Sequence, residues 1–259
     1  MTTVFVTGST DGIGLRTAEL LRARGCDVIA HGRDPQRVDA ARSRVGAVAG
    51  LVADLGDLRQ VSRLADEAAE LGTEVLINNA GIYARDRVRA VSGEATWVVN
   101  HLAASLLADA LIPTMPPGGR VVYVSSVAHA RADIDLDDPE FERRPYDHYA
   151  AYAQSKLANL LMAAETARRL GPNAPVSVYS LHPGVVGTKL LTEGFQVGGR
   201  DDLDAGSATS VFLALDADPS LTGGYFVRSA PAQPQGRGRD ADLAAALYDY
   251  TTEVIEARV

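Results

Sequence analysis

Apolar residues along this chain fall into short continuous runs, separated by longer stretches in which they recur at helical spacing. The runs Thr3–Thr7, Asp27–His31, Ala47–Ala53, Glu74–Asn78, Arg120–Ser125, Pro175–Leu181 and Gly224–Val227 predict seven strands. Between them, Ile13–Arg24, Pro35–Arg44, Leu58–Leu71, Thr96–Leu111, Tyr149–Leu170 and Gly206–Leu215 predict helices. Strands apolar on both faces and separated by helices predict a parallel sheet covered on each side. Right-handed crossovers then give an α/β fold with a doubly wound, seven-stranded parallel sheet.

Three stretches break the alternation. Val127–His148 and Gly187–Asp204 are long irregular connections, and Ala230–Arg239 is rich in proline, glycine and glutamine. Connections of that length are usually lids or surface segments. With no internal repeat and no interdomain linker, residues 1–259 are expected to form a single domain, with a substrate loop at about 187–204.

Composition narrows the possible partners. A net charge of −8 disfavours nucleic acid and anionic membranes as the main partner. The single cysteine, Cys26, excludes an internal disulfide and fits a structural thiol in a reducing compartment. No apolar run approaches the ~20 residues that cross a bilayer. The first strand begins almost at Met1, leaving no room for a signal peptide. A soluble cytoplasmic protein with no metal is expected.

The first strand-to-helix turn carries Gly8-Ser9-Thr10-Asp11-Gly12-Ile13-Gly14. Gly8 permits the tight turn, Gly12 lets backbone approach a diphosphate, and Gly14 allows close helix–strand packing. The helix N-terminus adds unpaired N–H groups and partial positive charge. A GxxxGxG spacing in the first βα turn of a parallel sheet therefore predicts a dinucleotide site, a Rossmann arrangement. An NAD site normally offers a carboxylate to the ribose 2′-hydroxyl at the end of the second strand. Gly32-Arg33 stands there instead, and a guanidinium suits a 2′-phosphate. NADP(H) is the expected cofactor, with NAD(H) the alternative.

Only two of the 25 cationic residues are lysines, and Lys156 lies four residues after Tyr152. Residues i and i+4 share a helix face, so phenol and ammonium project together. A compact ammonium beside a phenol suggests an acid/base pair. A free phenol titrates near ~10, so making it a base at neutral pH needs a lowering of about three units, or roughly 4 kcal/mol.

With these residues in view, the chain resembles the short-chain dehydrogenase/reductase family over nearly its whole length. The matching segments come in family order: Thr7–Gly14, Asp54-Leu55, Asn78-Asn79-Ala80-Gly81, Asn100, Ser126, Tyr152–Lys156, and Pro183-Gly184 with Thr188. The resemblance implies that Asp54 and Leu55 contact adenine, while Asn79 and Gly81 line the adenine-ribose channel. It also implies that Val185 meets the nicotinamide carboxamide and Thr188 the amide or diphosphate. It names Asn100, Ser126, Tyr152 and Lys156 as the catalytic set. Ser125 is the rival hydroxyl, and Tyr149 the rival phenol, although only Tyr152 has a lysine at i+4. The interval from Ser126 to Tyr152 is about twice the family's commonest spacing. VVYVSSVAHA, YAQSKLANLL, LHPGVVGTKL and Gly223–Phe226 resemble the retinol-dehydrogenase-like branch.

The implied reaction is reduction of a carbonyl: Tyr152 donates a proton to the oxygen, Ser126 stabilises it, Lys156 holds the nicotinamide ribose, and Asn100 anchors a water relay. Leu190, Leu191, Phe195 and Val197 are expected to roof the pocket, with Val127–His148 as a second contributor, which suits a lipophilic ketone, aldehyde or secondary alcohol. An alcohol dehydrogenase working in oxidation and a catalytically idle NADP-binding sensor are the competing functions. A homodimer or homotetramer is possible through the helices Thr96–Leu111 and Tyr149–Leu170.

Overall fold

The computed structural model describes residues 1–196 and 198–259; Val197 lies outside the described residues. The chain runs β1 (Thr3–Val6), α1 (Gly12–Ala23), β2 (Asp27–Gly32), α2 (Pro35–Val45), β3 (Ala49–Val52), α3 (Leu58–Glu70) and β4 (Val75–Asn78). A small hairpin, β5 (Arg89–Ala90) and β6 (Gly93–Glu94), leads into a helical run. That run is α4 (Ala95–Trp97), a π-helical turn (Val98–Leu102) and α5 (Ala103–Leu111). Then come β7 (Gly119–Val124), α6 (His148–Leu170), β8 (Val176–His182), α7 (Leu203–Leu215), β9 (Tyr225–Val227), β10 (Ala230–Ala232) and α8 (Ala241–Arg258).

One sheet takes the order β10-β9-β8-β7-β4-β1-β2-β3, parallel from β9 to β3. Successive strand side chains point to opposite faces. Phe5 accordingly joins the core under α3, α5, α6 and α8, whereas Val4 and Val6 join the core under α1, α2 and α7. The winding reverses between β1 and β4, and a crevice opens there at the carboxyl ends of the strands.

Aspartates begin most of the long helices. Asp11, Asp34, Asp57, Asp147, Asp202 and Asp240 each accept first-turn N–H groups, where a carboxylate also meets the positive end of the helix dipole.

The sheet has eight strands where the apolar pattern predicts seven. The extra one, β10, lies in the proline- and glycine-rich stretch and runs antiparallel to β9. Arg228 and Ser229 both take positive φ (51° and 59°), which a two-residue hairpin of this hand requires. The helix α8 is likewise outside the predicted alternation; it buries Leu243, Leu247 and Ile255.

The expectation that no apolar run is long enough to cross a bilayer is corrected by the helical run Ala95–Thr114. Its 20 residues pass that test by length and composition, but 72% of the apolar window is buried in the protein. It is a core helix, packed between α3 and α6.

The insertion Val127–His148 is a packed element rather than a lid. Ile134 and Phe141 are buried, and the Glu140 carboxylate accepts the Glu94 N–H at 2.7 Å while pairing with Arg258 of α8 at 2.6 Å. Gln154 of α6 donates to the Pro139 carbonyl.

α6 and α8 are joined through charge. The buried Glu165 carboxylate accepts from Arg168 and Arg169, and Arg169 continues to Asp249 at 2.7 Å. These guanidinium bonds hold the Glu165 carboxyl at about 2, below its ordinary 4.5. A lowered folded-state value means stability present above pH 4.5 and lost as pH falls toward 2. Glu165→Gln is therefore expected to lower Tm at neutral pH and to weaken the fall in Tm between pH 4.5 and 2. Thermal melts across that range, with wild type and variant side by side, check it.

Candidate active site

Two adjoining spaces occupy the carboxyl end of the sheet. The larger, about 790 Å³, runs from the β1–α1 turn past the ends of β2 and β3. The smaller, about 480 Å³, lies beyond β7 and β8 against α6. Ile13, Asn79, Gly81, Thr188 and Leu190 border both.

The glycine turn is shaped by its neighbours. Gly8 and Gly12 take positive φ (64° and 55°). Asn79 Nδ2 donates to the Thr7 and Gly8 carbonyls, and the Thr7 hydroxyl accepts the N–H groups of Asn79 and Ala80. A Cβ on Gly14 would lie 2.3 Å from the Gly8 carbonyl oxygen. The first-turn N–H groups of α1 lack intrahelical acceptors. Asp11 caps that of Gly12 at 2.8 Å and is held below the ordinary carboxylate range by Lys189. Gly8, Thr10, Asp11, Gly12 and Ile13 all line the larger cleft. Ser9 does not: its fully buried hydroxyl accepts the His31 N–H. A narrow turn, free helix N–H groups and an elongated cleft suit a dinucleotide diphosphate.

His31 is a support that the motifs do not reveal. Its Nδ1 accepts the Gly8 N–H at 3.1 Å, so Nε2 carries the proton and donates to the Ala53 carbonyl at 3.2 Å. Burial pushes the ring down to about 4, keeping it neutral behind the turn.

At the far end of the cleft stand Arg33, Asp54 and Leu55. Arg33 is exposed and has no ion pair or side-chain hydrogen bond among the described residues. Arg37, in the first turn of α2, also faces the cleft and pairs with Asp11 at 3.2 Å. The sequence reading names no second cation here; its signal was the four-residue spacing from Arg33 across a helix start. Asp54 accepts the Gly56 N–H at 2.9 Å, and Ala80 and Gly81 form the opposite wall.

The smaller cavity gathers Ser126, Tyr152 and Lys156, with the Pro183-Gly184-Val185 turn and Thr188 on its rim. Gly184 takes φ +99°, and Asp201 clamps the turn by accepting the Val185 N–H at 2.8 Å. Tyr152 and Lys156 share one face of α6, as their spacing predicts, and both are buried. Lys156 Nζ donates to the Val124 carbonyl at 3.0 Å and lies 5.7 Å from the Tyr152 ring centre. Ser125 is used up: its hydroxyl donates to the Lys156 carbonyl at 2.6 Å. The Ser126 hydroxyl accepts the Ala128 N–H at 3.2 Å, leaving its own proton to give to something in the cavity. Tyr149 is partly exposed and stands farther out.

Asn100 sits in the π-helical turn, a local widening that commonly marks functional positions. Its Oδ1 accepts the Ile82 N–H at 2.7 Å, and its Nδ2 donates to the Ile82 carbonyl and the Ser155 hydroxyl. It thereby fixes the segment after Gly81 against α6, close to Lys156 Nζ.

The phenol does not behave as its cationic neighbour suggests. Burial pushes Tyr152 up to about 12, opposed by the hydrogen bond of Ser126. Burial also lowers Lys156 to about 8, and its ammonium is engaged by a carbonyl rather than by the phenol. The protein groups alone keep Tyr152 protonated.

An aromatic cluster covers the phenol. Tyr83, absent from the sequence reading, packs 5.4 Å from Tyr152 and 4.0 Å from Phe195, and Phe195 lies 5.1 Å from Tyr152. Leu190 and Leu191 complete the roof. The roof is tied down by Lys189, the chain's other lysine, which meets Asp11 at 2.8 Å, and by Arg85, which donates to the Gly194 carbonyl. Of the insertion, Val127, Ala128, Ala130 and Arg131 line the cavity, whereas Glu140 pairs with Arg258 of α8 and Tyr146 bonds Ala84 and Glu94.

The model of the short chain dehydrogenase family matches residues 2–196. The chain is a short-chain dehydrogenase/reductase. It is similar over 98% of its length to a candidate daunorubicin C-13 ketoreductase of Streptomyces sp. (strain C5), at 34% identity and covering 92% of that protein. Human retinol dehydrogenase 12 is 32% identical over 98% of this chain and 86% of its own length. A short chain dehydrogenase of Burkholderia cenocepacia J2315, solved in complex with NADP, superposes with a TM-score of 0.71 at 26% identity, covering 88% of this chain and 98% of its own. This short-chain dehydrogenase/reductase belongs to the retinol-dehydrogenase-like branch and is an NAD(P)-dependent oxidoreductase.

Gly14→Ala forces a contact into the turn. Overpacking of this kind costs ~1–3 kcal/mol, so dinucleotide affinity is expected to fall roughly tenfold or more. Fluorescence titration of a variant whose fold is verified by circular dichroism measures it.

Proposed function

We propose that the protein is an NADPH-dependent reductase that converts the carbonyl of a lipophilic ketone or aldehyde into an alcohol. The observation that carries this reading is a protonated, buried phenol, Tyr152, hydrogen-bonded to the Ser126 hydroxyl in one apolar-roofed cavity with the Lys156 ammonium. A phenol that keeps its proton to about 12 is protonated at neutral pH, the form that reduction of a carbonyl requires. The ketoreductase name of the Streptomyces relative and the NADP of the Burkholderia structure support the same chemistry.

When bound, a nicotinamide dinucleotide supplies the hydride. Gly8–Gly14 would hold its diphosphate and Arg33, with Arg37, its 2′-phosphate. Asp54 and Leu55 would meet the adenine, with Asn79, Ala80 and Gly81 along the ribose channel. Pro183, Gly184, Val185 and Thr188 would frame the nicotinamide end. Ser126 Oγ–H donates to the substrate oxygen as negative charge grows there, and Tyr152 Oη–H transfers its proton to that oxygen. Lys156 holds positive charge beneath the phenol and receives its orientation from the Val124 carbonyl. Asn100 fixes the Gly81–Ile82 segment beside it. The roof of Leu190, Leu191 and Phe195 excludes water and favours apolar substrates.

Removing the proton donor tests the assignment. Tyr152→Phe is expected to bind NADPH as wild type does and to lose about 10²–10⁴-fold in turnover. Titration with NADPH and NADH, followed by a panel of ketones and alcohols, separates the alternatives. Tighter NADH binding with turnover of alcohols only would favour an oxidising dehydrogenase, and binding with no turnover an idle sensor.

The lysine predicts the alkaline limit. Its lowered value means that charge is present below about 8 and lost as pH rises through it. With the phenol still protonated, kcat/KM for reduction is expected to hold up to about pH 8 and then fall. A profile flat to pH 10 would speak against a required ammonium.

A further inference from the structure

The cavity around Tyr152 has an apolar roof and also a cationic lining residue. Arg131, the last residue of the short helical turn Val127–Arg131, lines it together with Gln235 from the segment after β10. The segment is seated by His129, which donates from Nδ1 to the Ser126 carbonyl at 2.6 Å and accepts the Gln235 N–H at Nε2. One buried imidazole therefore fixes Gln235 relative to Ser126.

Arg131 has no ion pair or side-chain hydrogen bond among the described residues. The acids that follow it in sequence are engaged elsewhere: Asp133 with Arg237, and Asp135 with Arg144 at 3.9 Å. No carboxylate is among the described residues lining the cavity, whose charged members are Arg131 and Lys156. In a chain of net charge −8, this is a local reversal of sign, carried by the exposed Arg131 guanidinium and the buried Lys156 ammonium.

We infer that the substrate carries an anionic oxygen group, a carboxylate or an acidic phenol, at the end remote from its carbonyl, and that Arg131 with Gln235 selects it. The carbonyl end meets Ser126 and Tyr152, the apolar middle lies under Leu190 and Phe195, and the anionic end faces the guanidinium. Arg131 is thus a specificity-determining residue, and the inference rests on the carbonyl-reductase reading.

The test uses acetyl-aryl carboxylates of increasing length, starting with 4-acetylbenzoate and 4′-acetylbiphenyl-4-carboxylate, each paired with its methyl ester. The readout is the acid-to-ester ratio of kcat/KM with NADPH. Wild type is expected to give a ratio of about 10 or more for at least one length. The ratio should fall to near one in Arg131→Gln, remain above one in Arg131→Lys, and decline with added salt. Ratios near one throughout the wild-type series, or a preference that survives Arg131→Gln, would overturn the inference and leave carbonyl reduction standing. If no member is reduced but the NADPH complex binds the acids in an Arg131-dependent manner, measured by quenching of cofactor fluorescence, the carbonyl-reductase reading falls and the inference with it, leaving Arg131 as an anion-binding residue only. Neither turnover nor Arg131-dependent binding overturns both.

Discussion

The site depends on a lysine buried with a single oxygen partner, the Val124 carbonyl at the end of β7. A buried ammonium is costly to hold charged, so the surroundings must be arranged around it. The β7 terminus supplies the acceptor, the π-helical turn brings Asn100 behind Gly81, and α6 carries the phenol one turn before the ammonium. The glycine at position 81 is part of this arrangement, since a Cβ there would lie 3.2 Å from Lys156 Nζ. Burial then sets both proton affinities: the lysine is poised near neutrality, and the phenol keeps its proton.

The parallel sheet was legible because strands such as Val4–Val6 and Val75–Ile77 are buried on both faces and read as unbroken apolar runs. β10 was not, because Ala230-Pro231-Ala232 has no apolar signature and is a strand only through its pairing with β9. The glycine turn and the Tyr152–Lys156 pair were legible because their chemistry depends on spacing along the chain. Tyr83, His31 and Arg131 depend on how distant segments meet, and no local pattern marks them. Ser9 belongs to the visible motif yet turns inward, where its hydroxyl satisfies the His31 backbone. Spacing reports a neighbour of Tyr152, whereas the proton affinity set by the protein groups alone follows burial and what that neighbour is already bonded to.

The roof and the glycine turn are mechanically joined. Lys189 precedes Leu190 directly and bonds Asp11, which also caps α1 and pairs with Arg37. Thr188 closes over Gly12, its methyl group 3.4 Å from where a Cβ there would lie. Phe195 rests on Tyr83, whose hydroxyl reaches His148 at 2.5 Å at the start of α6. Displacement of Leu190–Phe195 therefore disturbs both the dinucleotide turn and the aromatic cover of the phenol.

The wall that holds Gln235 comes from the far side of the β9–β10 hairpin, beyond the stretch that matches the family. Gly236 packs against the Ala130 carbonyl with no room for a Cβ, so backbone meets backbone where the last part of the chain closes the pocket. Part of the cavity wall thus comes from outside the family-matched stretch, beside Arg131, Leu190 and Phe195 from within it. Changes downstream of β9 can reshape which molecules fit while the nucleotide-binding half keeps its form.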